Sequence, residues 1–491
     1  MSTRGLMAPA QAINPPSQFE GKFGRMFPEL APAKFSEASL QNLAAKMTAD
    51  GEDLKDGPDA EESGIPALYT YLGQFVDHDL TFDPASFEQT TQDANARIDF
   101  RTPAFDLDCV YGRGPDDQPY LYEDEKRLLT GDPLQGGNAG ALDVPRNAPG
   151  RALIGDPRND ENAIVTQLQG LFLRHHNRLI AEQGLDFEGA SRLVRLRYQR
   201  IVLNDFLPRI IDHSVLGQFR SHGRYLRHKL VFNKAFMPIE FSGAAYRLGH
   251  SMVRPGYRLN DQVNLSIFPV PGQPEGLTGF RRLNPQWGLD WARFIDIELR
   301  PYGTPGDPPA STPENLNRLQ LAYRLDTSIV DPLSKLPQSV GGNMPSLIFR
   351  NLLRGMKLGL PSGQTIAREL GVRVLEDSEI KIGKLAEGET PTPILEATGD
   401  SSFAGNCPLW TYVLAEAMHH VCPVDIPVAE ERTVSIDTPR LGPVGGYIVA
   451  STFLSLMFND RSSLLNADAA EQSEVPETYS LRDFVNYALG L

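Results

Sequence analysis

Cysteine is scarce in this chain, and its scarcity excludes several kinds of site. The 491 residues include three cysteines, Cys109, Cys407 and Cys422, and no two of them form a C-x-x-C pair. Three cysteines cannot build a disulfide framework of the kind that holds small secreted domains together. The lack of a C-x-x-C pair also argues against a zinc ribbon or a thioredoxin-type redox motif.

Positive charge and long apolar runs are lacking as well. The net charge is −15 with no long basic run, which disfavours nucleic acid or an anionic membrane as a main partner. The longest apolar stretch, residues 447–458, contains Ser and Thr and is too short for a membrane span. The N-terminus has no apolar core of signal-peptide length. We therefore expect a soluble protein, either cytoplasmic or secreted by a route that needs no visible signal peptide.

Hydrophobic periodicity predicts a mainly α fold with little β structure. Residues 1–60 are rich in Pro, Gly and charge and predict an extended arm, whereas residues 61–491 predict one large helical domain. A long polar stretch up to about Asn159 predicts irregular connections. Helices are predicted from Ile65 to about Asp83 and over 161–183, 189–211, 239–253, 314–323, 346–353, 363–370, 408–420 and 444–458.

The segment Gly73–Leu80 places four polar side chains in an apolar helix. Helical geometry puts Gln74 and His78 on one face, one turn apart, with Asp77 beside them. Asp79 lies about 100° further round the helix and points elsewhere. For a lone histidine, the usual explanation would be structural: a helix end with a capping carboxylate and a hydrogen-bonded imidazole.

The segment Arg101–Gly112 offers oxygen donors at alternate positions. These are the Thr102 hydroxyl, the Ala104 carbonyl and the carboxylates of Asp106 and Asp108. Calcium takes about six to eight oxygen ligands in flexible geometry, and Asp79 would add another. An ordinary acidic surface turn is the alternative explanation.

Two further segments carry polar side chains at unusual places. Glu161 suits the N-terminus of the helix predicted there, but Arg158 is a cation at the end that the helix dipole disfavours. In Tyr246–Arg254, His250 follows a glycine on an otherwise apolar helix face. The glycine allows either the close approach of a flat macrocycle or an ordinary packing contact.

In this order the motifs resemble those of the animal haem peroxidases. The matching patterns are Gln-x-x-Asp-His-Asp, a Thr-x-x-x-Asp loop ending in Val-Tyr-Gly, Arg-x-x-Glu and Arg-x-x-His, spread over roughly residues 65–360. The resemblance implies a helical haem-peroxidase domain with haem b and calcium as cofactors. It also implies that hydrogen peroxide is reduced and that halide, thiocyanate or a small organic donor is oxidised through an oxyferryl intermediate.

The resemblance assigns roles on the peroxide side of the haem. It implies that His78 deprotonates peroxide, that Arg158 stabilises the leaving oxygen, and that Gln74 orders water and binds halide. It implies ester bonds from Asp77 and Glu161 to the haem. Asn162 stands where one family member has a methionine bonded to a haem vinyl group, so that third bond is impossible here.

On the other side, the resemblance implies that His250 binds the haem iron. Arg247 would lie near a haem propionate, and Asn351 would hydrogen-bond the far nitrogen of His250. The calcium ligands implied are Asp79, Thr102, Ala104, Asp106 and Asp108. Asp108 stands where the family usually has serine, and its extra negative charge should strengthen calcium binding.

Two other functions are alternatives to that of a peroxidase. Fatty-acid dioxygenases of the superfamily carry a radical-forming tyrosine three residues before the iron-binding histidine. Arg247 occupies that position here, and Tyr246 is one residue away. The second alternative is a non-enzymatic, calcium-stabilised binding protein, but the joint presence of His78, Arg158 and His250 argues against it.

Overall fold

The computed structural model describes residues 23–51, 56–82, 101–222, 224–227, 236–304 and 312–491. Helices make up most of its regular structure, as predicted. The α-helices are, in chain order, α1 Glu37–Met47, α2 Leu68–Leu80, α3 Asp108–Tyr111, α4 Ala163–Gln183, α5 Phe187–Ile201, α6 Leu207–Ile210, α7 His213–Gly217, α8 Ile239–Gly243, α9 Pro313–Leu316, α10 Gln338–Gly341, α11 Leu347–Lys357, α12 Gly363–Glu369, α13 Ile394–Thr398, α14 Leu409–Ala417, α15 Pro443–Asn459, α16 Ala469–Ser473 and α17 Leu481–Leu489.

Short helical turns of other types join these helices. A π-helical turn, Val202–Phe206, links α5 to α6. The 3₁₀ turns are Pro119–Leu121, Pro157–Asp160, Ala245–His250, Trp291–Arg293, Asp331–Ser334 and Ser401–Phe403. Two of them, at 157–160 and 245–250, carry residues of the predicted site.

The strands pair only two at a time within the described residues. They are β1 Phe23–Gly24, β2 Glu62–Pro66, β3 Arg220–Ser221, β4 Arg224–Tyr225, β5 Met237–Pro238, β6 Gly256–Arg258, β7 Asn264–Ser266, β8 Leu321–Tyr323, β9 Lys381–Ile382, β10 Thr392–Pro393, β11 Val421–Ala429 and β12 Arg432–Pro439. The pairs are β1–β5 (parallel) and, antiparallel, β2–β8, β3–β4, β6–β7, β9–β10 and β11–β12.

Two helix predictions were wrong, and one β-hairpin was not predicted. The helix predicted over 239–253 ends at Gly243, and a 3₁₀ turn at 245–250 follows the non-helical Ala244 (φ −144°). The helix predicted over 314–323 is one turn, α9, followed by strand β8, which pairs with β2. The β11–β12 hairpin was not predicted, and its apolar residues pack with Leu319 and Leu321 in a small separate cluster.

The predicted arm is partly helical in the described region. Helix α1 begins at the N-cap Ser36, whose hydroxyl accepts from the Ser39 backbone N–H at 2.9 Å. Its buried Leu40 and Leu43 belong to the large core that the α-helices share. The arm is therefore not extended throughout, and the boundary near residue 60 stays a prediction. No helix among the described residues is long and apolar enough to cross a bilayer.

Candidate functional site

Helix α2 places the Gln-x-x-Asp-His-Asp motif, residues 74–79, at the edge of the core. Leu72, Phe75 and Val76 are fully buried and anchor one side of the helix. His78 is buried, whereas Gln74 and Asp77 are partly exposed on the neighbouring surface. The helix ends at Leu80. The predicted stop at Asp83-Pro84 lies outside the described residues.

The imidazole of His78 is oriented by a buried amide network. Its Nδ1 lies 2.8 Å from Oδ1 of Asn159, and Nδ2 of Asn159 donates to Oε1 of Gln169 at 2.9 Å. Because the Asn159 amide nitrogen is engaged with Gln169, its oxygen accepts the Nδ1 proton of His78. Nε2 of His78 is then left with its lone pair, which is the form that accepts a proton.

The environment keeps His78 neutral. Burial and, next, the positive charge of Arg158 lower the pKa of His78 to about 4, against the opposing influence of Asp77. At neutral pH this imidazole is therefore an unprotonated base. Its Nε2 lies 4.0 Å from Oε1 of Glu161, so both groups face the same space.

Glu161 and Gln74 are held together by the start of α4. Nε2 of Gln74 donates to Oε1 of Glu161, and Oε1 of Gln74 accepts from Nδ2 of Asn162 at 3.2 Å. Asn162 is also the N-cap of α4, accepting from the N–H of Val165 at 2.9 Å. A Cβ at Gly279 would lie 1.8 Å from the Asp160 carbonyl oxygen, so this glycine allows the loop to pack on the Glu161 turn.

Glu161 combines a partly exposed side chain with an environment that disfavours its charge. The side chain is 37% exposed, yet desolvation raises its pKa to about 7, opposed by Arg158 and reinforced by Asp77. This accessible carboxyl lies between the buried His78 and the partly exposed Gln74. The arrangement suits a carboxyl that contacts a bound group.

Arg158 lies against the C-terminal end of α2. Its Nη2 donates to the carbonyl oxygens of His78 at 3.0 Å and Thr81 at 2.6 Å, and to Asp156 at 2.7 Å. Carbonyls at a helix C-terminus carry partial negative charge and favour a cation. The arginine that seemed misplaced at the start of one helix thus compensates the end of another.

His250 ends the 3₁₀ turn and meets a buried amide. Nδ2 of Asn351 lies 2.8 Å from Nδ1 of His250, so these two predicted partners are adjacent. With the amide flipped, its oxygen would accept from Nδ1–H, and Nε2 of His250 would keep its lone pair, the form that an iron ligand requires. Burial, then Arg247, lowers the pKa of His250 to about 3, so the imidazole is neutral at physiological pH.

The donor set fits a haem. Groups expected to touch it (Gln74, Asp77, Glu161, Arg247 and His250) are all partly exposed, whereas the orienting groups Asn159, Gln169 and Asn351 are buried. A Cβ at Gly249 would meet no atom within 4 Å, which leaves open space beside His250. A neutral imidazole oriented through its far nitrogen is a suitable axial ligand for haem iron.

Three of the predicted calcium ligands converge. Carboxylate oxygens of Asp79, Asp106 and Asp108 lie within 4.8 Å of one another. Oδ2 of Asp79 is buried without a hydrogen-bond partner among the described residues. Leu107, between the two loop aspartates, has φ 58°, a conformation that side chains rarely adopt and that turns the chain sharply there. The donor set therefore suits a hard divalent cation such as calcium.

The other two predicted ligands lie in the same loop. Ala104 is buried and Thr102 is exposed, and the Ala104 N–H donates to the Thr102 carbonyl at 2.7 Å. Arg101 also enters the cluster, with Nη1 3.0 Å from Oδ1 of Asp108. The extra carboxylate of Asp108 is thus partly neutralised by an arginine that the sequence reasoning did not consider.

Calcium binding to this cluster should weaken as the pH falls. Burial raises the pKa of Asp108 to about 6, and burial together with the nearby Asp108 charge raises the pKa values of Asp79 and Asp106 well above normal. Protons therefore compete with calcium at mildly acidic pH. Calorimetric titration should give tighter binding at pH 8 than at pH 5.5, with proton release on binding and about one calcium per chain. A stoichiometry of zero, or an affinity independent of pH, would contradict this assignment.

Comparison with known proteins shows similarity to haem peroxidases. Residues 86–270 match the family model described as animal haem peroxidase, and this region includes the candidate calcium-binding loop, Arg158, Glu161 and His250. The match therefore identifies an animal haem peroxidase region within the chain. The eosinophil peroxidase of Mus musculus is 30% identical over 237 residues, which is 45% of this chain and 29% of that protein. The chain spans between 12% and 34% of the lengths of the curated relatives it matches.

Solved structures extend the similarity of fold to nearly the whole chain. Peroxidase A from Dictyostelium discoideum matches with a TM-score of 0.60 and 16% identity, covering 95% of this chain and 93% of that one. A fatty acid alpha-dioxygenase from Oryza sativa matches with a TM-score of 0.54 and 16% identity, covering 93% and 79%. At these identities the likeness concerns the fold and does not distinguish the two activities.

Besides Arg101, three residues around His78 and Arg158 were not predicted from the sequence. Asn159 and Gln169 orient His78, and Asp156 holds Arg158. Asn159 and Asp156 flank Arg158 closely in the chain, which is a usable signal. Gln169 lies further along the chain, in the second turn of α4. Only its burial and its hydrogen bond to Asn159 in the structure show its role.

Proposed function

We propose that this protein is a haem peroxidase that reduces hydrogen peroxide and oxidises small donors. The observation that supports this most directly is the pair of neutral, oriented imidazoles, His78 with Nε2 unprotonated and His250 beside Asn351. A bound haem would carry oxidising equivalents from peroxide to the donor. Asp77 acts electrostatically on both imidazoles, as expected of a carboxylate between them.

On the peroxide side, His78 would take a proton from peroxide at Nε2. Its low pKa keeps it available as a base, and Asn159 holds the ring in place. Arg158 supplies a fixed positive charge near His78, suited to stabilising the negative charge that develops on a leaving oxygen. Gln74, hydrogen-bonded to Glu161 and Asn162, would position water or a halide beside them.

On the other side, His250 would hold the iron and Arg247 would face a propionate. Nε of Arg247 donates to the Ser242 carbonyl at 2.9 Å, which fixes the side chain near the turn. Asp79, Thr102, Ala104, Asp106 and Asp108 would bind calcium next to His78, since Asp79 follows it directly in α2. We assign residues 61–491 to this domain and residues 1–60 to an N-terminal arm.

A fatty-acid dioxygenase is the weaker assignment. Arg247 occupies the position three residues before His250 where those enzymes carry their tyrosine. The Tyr246 hydroxyl instead lies 3.9 Å from where a Cβ at Gly73 would stand, and it has no hydrogen-bond partner among the described residues.

The donor range follows from the haem linkage. With Asn162 capping α4, a methionine bond to a haem vinyl group is absent, and we propose iodide, thiocyanate and bromide as donors in preference to chloride. Peroxide-dependent oxidation of each halide at pH 7 tests the function. We expect iodide and bromide turnover with little chlorination, and turnover slowed about 10²–10⁴-fold in His78→Ala. Lack of peroxide-dependent oxidation of any donor would contradict the function, whereas chlorination as fast as bromination would contradict only the donor range.

Asp77 and Glu161 should become ester-linked to the haem during peroxide turnover. Glu161, with a pKa of about 7, is half protonated at neutral pH and partly exposed, while Asp77 lies on the same side of α2 as Gln74. Mass spectrometry of tryptic peptides should find haem on both segments, and Glu161→Gln should lose one bond while Asp160→Asn retains both. Haem that extracts completely into acidified organic solvent after turnover would refute the proposal.

A further inference from the structure

Asp156 lies behind Arg158 and is completely buried. Its Oδ1 accepts from the Arg158 backbone N–H at 2.8 Å and from Nε at 3.1 Å. Its Oδ2 accepts from Nη2 of Arg158 at 2.7 Å. One carboxylate thus fixes both the backbone and the guanidinium of this arginine, in a two-point geometry that is stronger than a single hydrogen bond.

The same carboxylate holds a second guanidinium. Nε and Nη2 of Arg101 donate to Oδ2 of Asp156 at 3.0 and 2.7 Å. Nη1 of Arg101 lies 3.0 Å from Oδ1 of Asp108, a candidate calcium ligand. Arg101 therefore connects the calcium loop to the carboxylate that holds Arg158.

The backbone brings these groups together. The Asp156 N–H donates to the Cys109 carbonyl at 3.1 Å, and Arg101 Nη2 donates to the Gly155 carbonyl at 3.0 Å. A Cβ at Gly155 would lie 2.4 Å from the Asp108 carbonyl oxygen, so only glycine permits this approach. The segment before Arg158 is therefore packed directly on the calcium loop.

We propose that Asp156 is the positioning residue for Arg158 and that Arg101 couples this position to the calcium loop. Two guanidinium groups share one buried carboxylate, and Asp108 compensates the remaining charge of Arg101. If Asp156 is neutralised, Arg158 loses the carboxylate that holds it. If Arg101 is removed, the negative charges of Asp156 and Asp108 lose a shared cation. In either case Arg158 is free to move. This inference rests on the proposed function, since it concerns the charge that Arg158 presents to a haem-bound ligand.

Cyanide binding to the ferric, haem-loaded protein tests this role without turnover. Bound cyanide carries negative charge on the Arg158 side, and its affinity is read from the shift of the Soret band. Asp156→Asn keeps the shape of the side chain but removes its charge, and we expect cyanide affinity to fall about tenfold. In an Arg158→Gln background the same substitution should change the affinity less than about twofold, because the positioned group is gone.

Arg101→Gln provides a second, milder variant. This substitution should lower the affinity for cyanide about threefold in the wild-type background and have little effect on it in the Arg158→Gln background. Asp290→Asn is the matched control: the Asp290 carboxylate also holds two guanidinium groups, those of Arg293 at 3.0 Å and Arg300 at 2.9 Å, none of the three is a predicted site residue, and the substitution should leave cyanide affinity unchanged.

These measurements distinguish failure of the proposed function from failure of the positioning role of Asp156. Wild-type protein that binds no haem or gives no cyanide shift contradicts the proposed function. If the wild-type protein binds haem and cyanide, an unchanged cyanide affinity in Asp156→Asn overturns the positioning role. An equal loss of affinity with Arg158 present and with Arg158→Gln also overturns it, because it indicates a general structural effect. If Asp156→Asn does not fold, Arg101→Gln decides, and an affinity equal to that of wild type overturns the proposal.

Discussion

Replacing His78 with alanine should slow the reaction with peroxide about 10²–10⁴-fold, the usual contribution of a positioned general base, while haem stays bound. The structure gives the reason: Nε2 carries the lone pair because Nδ1–H is committed to Asn159 at 2.8 Å. Stopped-flow absorbance of the ferric protein mixed with peroxide measures the rate. His419→Ala, which removes a histidine hydrogen-bonded to the Glu379 carbonyl at 2.9 Å far from the site, is the control and should react like wild type.

The pH dependence of that reaction follows from the lowered pKa of His78. Burial and the nearby Arg158 bring it to about 4, so the imidazole is unprotonated from pH 8 down to about 5. The wild-type rate should therefore be nearly constant over this range and fall as the pH approaches 4, where the base becomes protonated. A rate that instead halves near pH 6.5 would mean that His78 is as exposed to solvent as a free imidazole, and would contradict this environment.

His250→Ala should abolish stable haem binding. His250 is the only neutral imidazole among the described residues that meets the Asn351 amide, and no other group there replaces it as an axial ligand. Haem content after reconstitution, from the ratio of Soret to protein absorbance, should fall to a small fraction of the wild-type value. His78→Ala is the internal comparison, since it should bind haem normally; full haem occupancy in both variants would mean that the two sides are wrongly assigned.

Helical periodicity predicted the relative placement of residues within α2 better than the geometry of the turn that carries His250. Spacing along α2 placed Gln74, Asp77 and His78 correctly relative to one another, because helical periodicity is a local property. The turn that carries His250 was predicted as a continuous helix, but Ala244 interrupts it, and Asn351 reaches His250 from a helix about a hundred residues later in the chain. Such contacts depend on tertiary packing, which periodicity does not encode.

The orienting residues show the same limit. Asn159, Asp156 and Arg101 are polar residues in an irregular region, where the sequence offers no repeating pattern. Their roles follow only from burial and from hydrogen-bond partners contributed by other segments, such as Gln169 on α4. The β11–β12 hairpin was missed for a different reason: its alternation is broken by prolines at 423 and 427, which weaken the strand pattern.

We propose that this chain binds haem between His78 and His250 and that the bound haem reacts with peroxide. The most direct measurement is the absorption spectrum of the purified, haem-loaded protein before and after one equivalent of peroxide. We expect a Soret band that depends on His250, and a rapid spectral change on adding peroxide that returns to the starting spectrum when iodide is supplied. Protein that takes up no haem, or a spectrum that peroxide leaves unchanged, would contradict it.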